Sequence, residues 1–315
     1  MSCKKIVRNS FIGGFFVTFM VFSGSVNAAL SVESLFNNGT YSLIQDLSGE
    51  NFYRFNTQTQ AYEIISSGSL QKGDFFAGVF NIDTINNQNI GNGTSYNELT
   101  GSFLTEISSI LSNTGTQTGS LSGVINTSTF GFTTAGSSAW SGILGIDMST
   151  FSGGVDVNSM VILMEDSAQN LVASDFTNST LALAHAIDGT FVASLGFDAT
   201  KNDHYWTGTG PENIADIFAA GFIPGDKLGS YAFGMDVLQN NFSGVTFANL
   251  APKDFQWAQT AGNIYVADGA FGYQVQDDIK STFITNNVPE PSIIGLLSIG
   301  LLVIGASAQR RNHMV

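Results

Sequence analysis

The chain has 315 residues, with 11 Lys+Arg against 25 Asp+Glu and a single cysteine. Between Ala29 and Val288 the count is 6 basic against 24 acidic residues, so no basic patch is available to offset the phosphates of nucleic acid or the headgroups of anionic lipid. The one cysteine, Cys3, precedes that span. The body therefore has no disulfide, no thiolate zinc site and no cysteine nucleophile, and its core alone must hold it together.

The N-terminus opens with Lys4, Lys5 and Arg8, followed by an apolar run from Phe11 to Phe22 and small residues at Val26 and Ala28. A basic start, a short apolar run and small residues at −3 and −1 are the parts of a secretory signal peptide, cut between Ala28 and Ala29. The apolar run has 12 residues, too few for the span of about 20 that crosses a bilayer. Residues 1–28 are thus a leader and 29–287 the exported body.

The body reads as strands. "SVESLFNN" near its start suits a short capped helix. "DFFAGVFNIDTI" and "ELTGSFLTEISSI" predict a consecutive strand pair, joined by the loop "NNQNIGNGTSYN". Residues 111–142 are rich in Ser, Thr and Gly, yet Phe130, Phe132 and Trp140 argue against a flexible tether. Short edge strands and turns are expected there, with a boundary between two sub-domains as the alternative organisation. "SMVILM" is a continuous apolar run, which predicts a central strand covered on both faces.

"NSTLALAHAIDG" is ambiguous, since alanine favours helix while Leu181, Leu183, His185 and Ile187 also alternate. "TFVASLGF" and "YAFGMDVL" alternate with period two. "GPENIADIFAAG" predicts the clearest helix, near 211–220, with Gly210 as cap, Pro211 in the first turn and Gly221 at the end. "NIYVADGAFGYQVQDDI" again alternates, with Asp268-Gly269 as a turn. The expected fold class is mainly β: an antiparallel β-sandwich-like body with one or two short helices.

Catalytic motifs are absent from the sequence. It has no G-x-S-x-G elbow, no P-loop and no H-E-x-x-H. The body holds two histidines, His185 and His204. Asp198, Asp203 and His204 can gather a metal, but a polar loop leading to an aromatic strand explains them more simply. Glu165-Asp166 reads as a strand end rather than a paired acid and base. Abundant carboxylates and Asn carbonyls suit calcium, the one cofactor considered, although no EF-hand pattern is present. Tyr205, Trp206 and Trp257 are candidates for stacking on sugar rings, against the commoner fate of core packing.

The C-terminus joins Pro289, Glu290 and Pro291 to an uncharged stretch from Ser292 to Ala308, then Arg310 and Arg311. The stretch has 17 residues and as a helix spans ~26 Å, enough for a thin bilayer. The arginines hold its end in the cytoplasm. Both prolines disfavour helix, so Glu290 is presented in extended chain at the outer face.

These parts, in this order and at this end, resemble the PEP-CTERM sorting signal over residues 288–311. The resemblance implies that Pro289, Glu290 and Pro291 are recognised by exosortase, after signal peptidase has cut the leader. It implies transient anchoring in the inner membrane of a Gram-negative bacterium and delivery to the cell surface or extracellular matrix, near exopolysaccharide. It assigns no activity to the body. The leading expectation is a non-enzymatic structural or adhesive protein of a biofilm matrix. The alternatives are a secreted polysaccharide-active enzyme or a carbohydrate- or calcium-binding module.

Overall fold

The computed structural model describes residues 29–37, 41–118, 124–151, 154–200, 204–214, 227–247, 257–266 and 275–287. The leader and the sorting tail lie outside the described residues. Among the described residues there are thirteen strands: β1 (Tyr41–Asn56), β2 (Ala61–Ile64), β3 (Phe75–Ile85), β4 (Gln88–Asn89), β5 (Glu98–Thr118), β6 (Val124–Thr134) and β7 (Ser159–Asp166), then β8 (Thr190–Gly196), β9 (Tyr205–Pro211), β10 (Lys227–Asn240), β11 (Val245–Phe247), β12 (Trp257–Val266) and β13 (Val275–Asn287). Two short helices, α1 (Ser137–Leu144) and α2 (Ser179–Ala186), accompany them.

The protein is mainly β, and its strand ladders are antiparallel. Where alternation predicts two facing sheets, the ladders instead join all thirteen strands in one sheet. They also close on themselves. β1 pairs β3, β3 pairs β5, β5 pairs β7, β7 pairs β8, β8 pairs β10, β10 pairs β12, β12 pairs β13 and β13 returns to β1.

Two long strands make the wall fork. The first part of β5 pairs β7, and its later part pairs β6. The first part of β10 pairs β9, and its later part pairs β8. Because β6 also pairs β9, β7–β8 and β6–β9 are alternative bridges between β5 and β10. Period-two alternation records which face is apolar. It does not record that one strand changes neighbours along its length, so the ring was not legible.

A large apolar cluster draws on β1, β3, β5, β7, β8 and β10 of this ring and on β6 and β9, including Ile44, Phe76, Leu99, Phe132, Leu195 and Phe233. Eight strands leave an interior just wide enough for side chains to fill. The expected pair of β3 and β5 is present, and a reciprocal pattern locks it. Gly78 faces Phe103 and Phe80 faces Gly101, so each glycine makes room for the ring on the neighbouring strand.

A Cβ on Gly101 would stand 2.5 Å from Phe80 Cζ and would also press on the Ile162 carbonyl oxygen. Gly101→Ala must therefore displace an aromatic ring or a backbone strand. The expected loss is about 1–3 kcal/mol of unfolding free energy, measured by urea denaturation of the exported protein. No loss would mean that the two strands are not packed this tightly.

The outer face of the β3–β5–β7–β8 wall is apolar too. Phe75, Ala77, Leu104, Ile162, Met164 and Phe191 pack there with Trp140 of α1. This explains the uninterrupted apolar run in β7: Val161 and Leu163 belong to the interior cluster, while Ile162 and Met164 belong to the outer one. α1 differs from the edge strands expected in 111–142. Its fully buried Trp140 donates to the Ser159 carbonyl at 3.3 Å. Gly145, at φ 65°, ends it in the left-handed region that glycine enters at no steric cost.

α2 resolves the ambiguous "NSTLALAHAIDG" as helix. Asn178 Oδ1 accepts from the Thr180 and Leu181 backbone N–H groups at 3.1 and 3.2 Å, a side-chain cap. Ala182 and Ala186, one turn apart, are fully buried in a cluster with Val79, Leu171 and Phe176. Small residues allow so close an approach. "SVESLFNN" yields a 3-10 helix at Val32–Leu35, capped by Ser31. The helix expected near 211–220 falls mostly outside the described residues. Within them, Gly210 is paired with Ser128 and Pro211 with Thr127, at the end of β9. Gly210 is thus a strand residue and not a helix cap.

Candidate functional site

Carboxylates converge where β5 begins and β7 ends. Glu98 faces Asp166 directly across the ladder, and Leu99 faces Glu165. Glu98 is fully buried. Its two oxygens accept from the Leu171 backbone N–H at 3.4 and 3.2 Å. Burial pushes the Glu98 carboxyl up to about 7, against the lowering bonds from the Leu171 and Asn170 backbone, and the charges of Asp166 and Asp188 raise it further. Asp188 accepts from Asn170 Nδ2 at 2.9 Å.

This arrangement holds a proton near neutral pH. Two ionised carboxylates directly opposite on neighbouring strands repel, and neutral Glu98 relieves that. Since the folded value lies above 4.5, folded Glu98 keeps a proton that the unfolded chain has already lost. The stability that Glu98 contributes is therefore fully present below pH 4.5 and disappears as the pH rises to about 7, a change on the order of 2–3 kcal/mol. Glu98→Gln should flatten the fall between pH 5 and 8 and make the variant the more stable form at pH 8. Denaturant midpoints across that range check this, and an unchanged slope would contradict it.

Glu165, the neighbour of Asp166, is occupied structurally. It accepts from Val32 N at 2.9 Å, Asn97 Nδ2 at 2.9 Å and Ser31 Oγ at 3.3 Å. It thereby latches the first residues of the body onto the barrel. Glu33 extends the latch by accepting from Ser243 N at 2.6 Å and Gly244 N at 2.8 Å. The Glu165-Asp166 pair is a strand end, as its spacing suggested, and Asp166 acquires a partner in charge, Glu98, that the sequence did not single out.

Asp198 and His204 meet beside Asp236, whose Oδ2 accepts from the Asp198 backbone N–H at 2.9 Å and lies within reach of His204. Asp198 spends one oxygen on Thr200, accepting from its N at 2.8 Å and its Oγ1 at 2.7 Å. His204 stacks on Phe197, with centroids 4.2 Å apart and planes at 16°. Its Nδ1 lies 3.6 Å from Asp236 Oδ2. Asp203 is outside the described residues. His185, at the C-terminal end of α2, meets Asp175 Oδ2 at 3.0 Å. Among the described residues no three or more His, Cys, Asp or Glu side chains stand close enough to hold a metal ion.

The three aromatic candidates separate. Trp206 is buried at 4% exposure and Tyr205 is exposed at 39%; the side chain of Trp257 is outside the described residues. Ala29, at the predicted cleavage point, is half-buried, and the next residue, Leu30, bridges Tyr96. Ala28, Pro289, Glu290, Pro291, Arg310 and Arg311 lie outside the described residues. Among the described residues no helix is long and apolar enough to cross a membrane.

No family model, curated protein or solved structure matches this chain. The body must be read from its own chemistry.

Among the described residues Arg54 and Asp74 form a bidentate ion pair that no sequence motif singles out. Arg54 Nε donates to Asp74 Oδ1 at 2.7 Å and its Nη2 to Oδ2 at 2.6 Å. Nη2 also reaches the Ser69 carbonyl at 2.9 Å, and Gln71 N donates to Asp74 Oδ2 at 2.7 Å. The bonds to Asp74 hold the guanidinium above its ordinary value. One available signal was that Arg54 is the sole arginine between Ala29 and Val288.

Proposed function

We propose that this protein is exported by its leader, anchored by its tail and sorted by exosortase to the cell surface or matrix. There its body serves a structural or adhesive role in exopolysaccharide rather than a catalytic one. The observation that carries the reading is the sequence of the tail: Pro289-Glu290-Pro291, the uncharged run to Ala308, then Arg310-Arg311.

The body's construction supports it. A β-protein without a cysteine after Cys3 needs a core that survives outside the cell, and the interior and outer apolar layers supply one. The buried carboxyl of Glu98 sits within the wall, where it changes the stability of the fold with pH.

Glu290→Ala in the native host is the test. If the tail is a processing signal, the change removes the charged centre of the motif. The precursor then accumulates in the inner membrane and less protein reaches the surface. If the tail is only an anchor, mass and location stay unchanged, because the apolar run and both arginines remain. Cell fractionation with immunoblotting separates these results.

A further inference from the structure

β5 continues well past the strands that flank its start. On one edge it pairs β7 and then β6, and on the other it pairs β3 from Leu99 to Glu106. The turn before β3 takes the next backbone groups: Ile107 N donates to the Asp74 carbonyl, and the Ile107 carbonyl accepts from Gly73 N. From Ser108 to Thr118, β6 is the one strand paired with β5 among the described residues. This stretch leaves a strand edge open, and we propose that a second copy of the chain pairs with it, edge to edge and antiparallel, to form a two-fold dimer.

Free edges are normally blunted by charge, proline, a covering element or bulges. No Asp, Glu, Lys, Arg, His or Pro stands between Glu106 and Asp147. Register shifts at Ile107/Ser109 and Leu111/Gly115 bend the strand, and bulges are the one such device present among the described residues. Ser109 is exposed and Leu111 is 63% exposed, so solvent reaches the edge. By contrast β2, four residues long and paired with β1, carries Glu63.

Charge selects the partner. The body holds 24 acidic against 6 basic residues between Ala29 and Val288, so two copies repel over most of their surfaces. The hairpin arm beyond Ile107 is uncharged, and repulsion is weakest there. It also offers nothing to a partner that is recognised by charge. An antiparallel edge is its own complement, because a two-fold axis sets the N–H and C=O groups of one copy against the C=O and N–H groups of the other. Covering Leu111 adds apolar burial. The inference goes beyond sorting and gives the body a way to assemble.

Sedimentation velocity of the exported protein should show monomer passing to dimer with Kd of about 200 µM or tighter. Leu111→Lys puts a charge on the edge of both copies and should raise Kd about tenfold or more. Val157→Lys is the control. Val157 is equally exposed, at 63%, but lies in the turn before β7, so its variant should leave Kd unchanged. If Leu111→Lys fails to fold, Ser109→Lys replaces it at another exposed position of the edge. Amide hydrogen exchange locates the contact: residues 108–118 should gain protection as the concentration rises through Kd.

A protein that stays monomeric up to about 200 µM, a dimer that charge at the edge does not weaken, an equal loss from Val157→Lys, or a dimer that leaves residues 108–118 unprotected would each overturn the proposal. None of these results touches the tail reading, which Glu290→Ala tests separately.

Discussion

Trp206→Ala should lower the unfolding free energy by about 3–5 kcal/mol, the range for truncating a large buried aromatic. Trp206, on β9, belongs to the large apolar cluster. Its ring stands 5.0 Å from Phe233, 5.8 Å from Phe132, 5.9 Å from Phe103 and 6.3 Å from Tyr231, centroid to centroid. Those neighbours come from β10, β6, β5 and β10 again, so the ring ties the β6–β9 bridge to both β5 and β10. Rigid strands cannot collapse into the space an alanine leaves. Trp206→Phe should cost far less, about 1 kcal/mol, because it keeps most of the volume and removes an indole N–H that has no hydrogen-bond partner. Chemical denaturation of both variants checks the pair. Equal losses would place Trp206 outside a packed core.

Asp74→Ala should cost about 2–4 kcal/mol, somewhat below the full range for breaking a buried pair because Arg54 is partly exposed. The side chains are 36% and 1% exposed for Arg54 and Asp74. Asp74 also anchors backbone. Gln71 N donates to its carboxylate, Ile107 N donates to its carbonyl, and Leu70 N in the same turn donates to the Glu212 carbonyl. Losing the carboxylate frees the turn that links β2 to β3 and its contact with the chain after β9. Arg54→Ala should be at least as harmful, since it strands a buried carboxylate. A double-mutant cycle measures the coupling, and a loss under about 1 kcal/mol for Asp74→Ala would show the pair to be incidental.

Local pattern made the strands legible, and topology hid the rest. β3, β5, β7, β8 and β10 all fall on runs with visible alternation or continuous apolar character. The reciprocal Gly78–Phe103 and Phe80–Gly101 pairs were written in two Gly-x-Phe triplets, but only the register reveals that they face each other. α1 was missed because "SSAWSGIL" has little helical periodicity, and the apolar outer wall that Trp140 covers appears only after folding. Glu98 looked ordinary for a related reason. Its burial and its opposition to Asp166 depend on pairing between residues 68 positions apart. Arg54 and Asp74 are 20 apart, on β1 and in the turn before β3, and alternation does not specify that β1 and β3 are adjacent. By contrast, the sorting signal is contiguous, so its three parts can be read without a fold.

The central claim concerns processing, and the mass of the surface-exposed protein from the native host tests it most directly. Intact-mass spectrometry with peptide mapping should find an N-terminus at Ala29 and no peptide from Ser292 to Val315. A surface protein that retains Ser292–Val315 would contradict exosortase processing and leave the C-terminus as a simple membrane anchor.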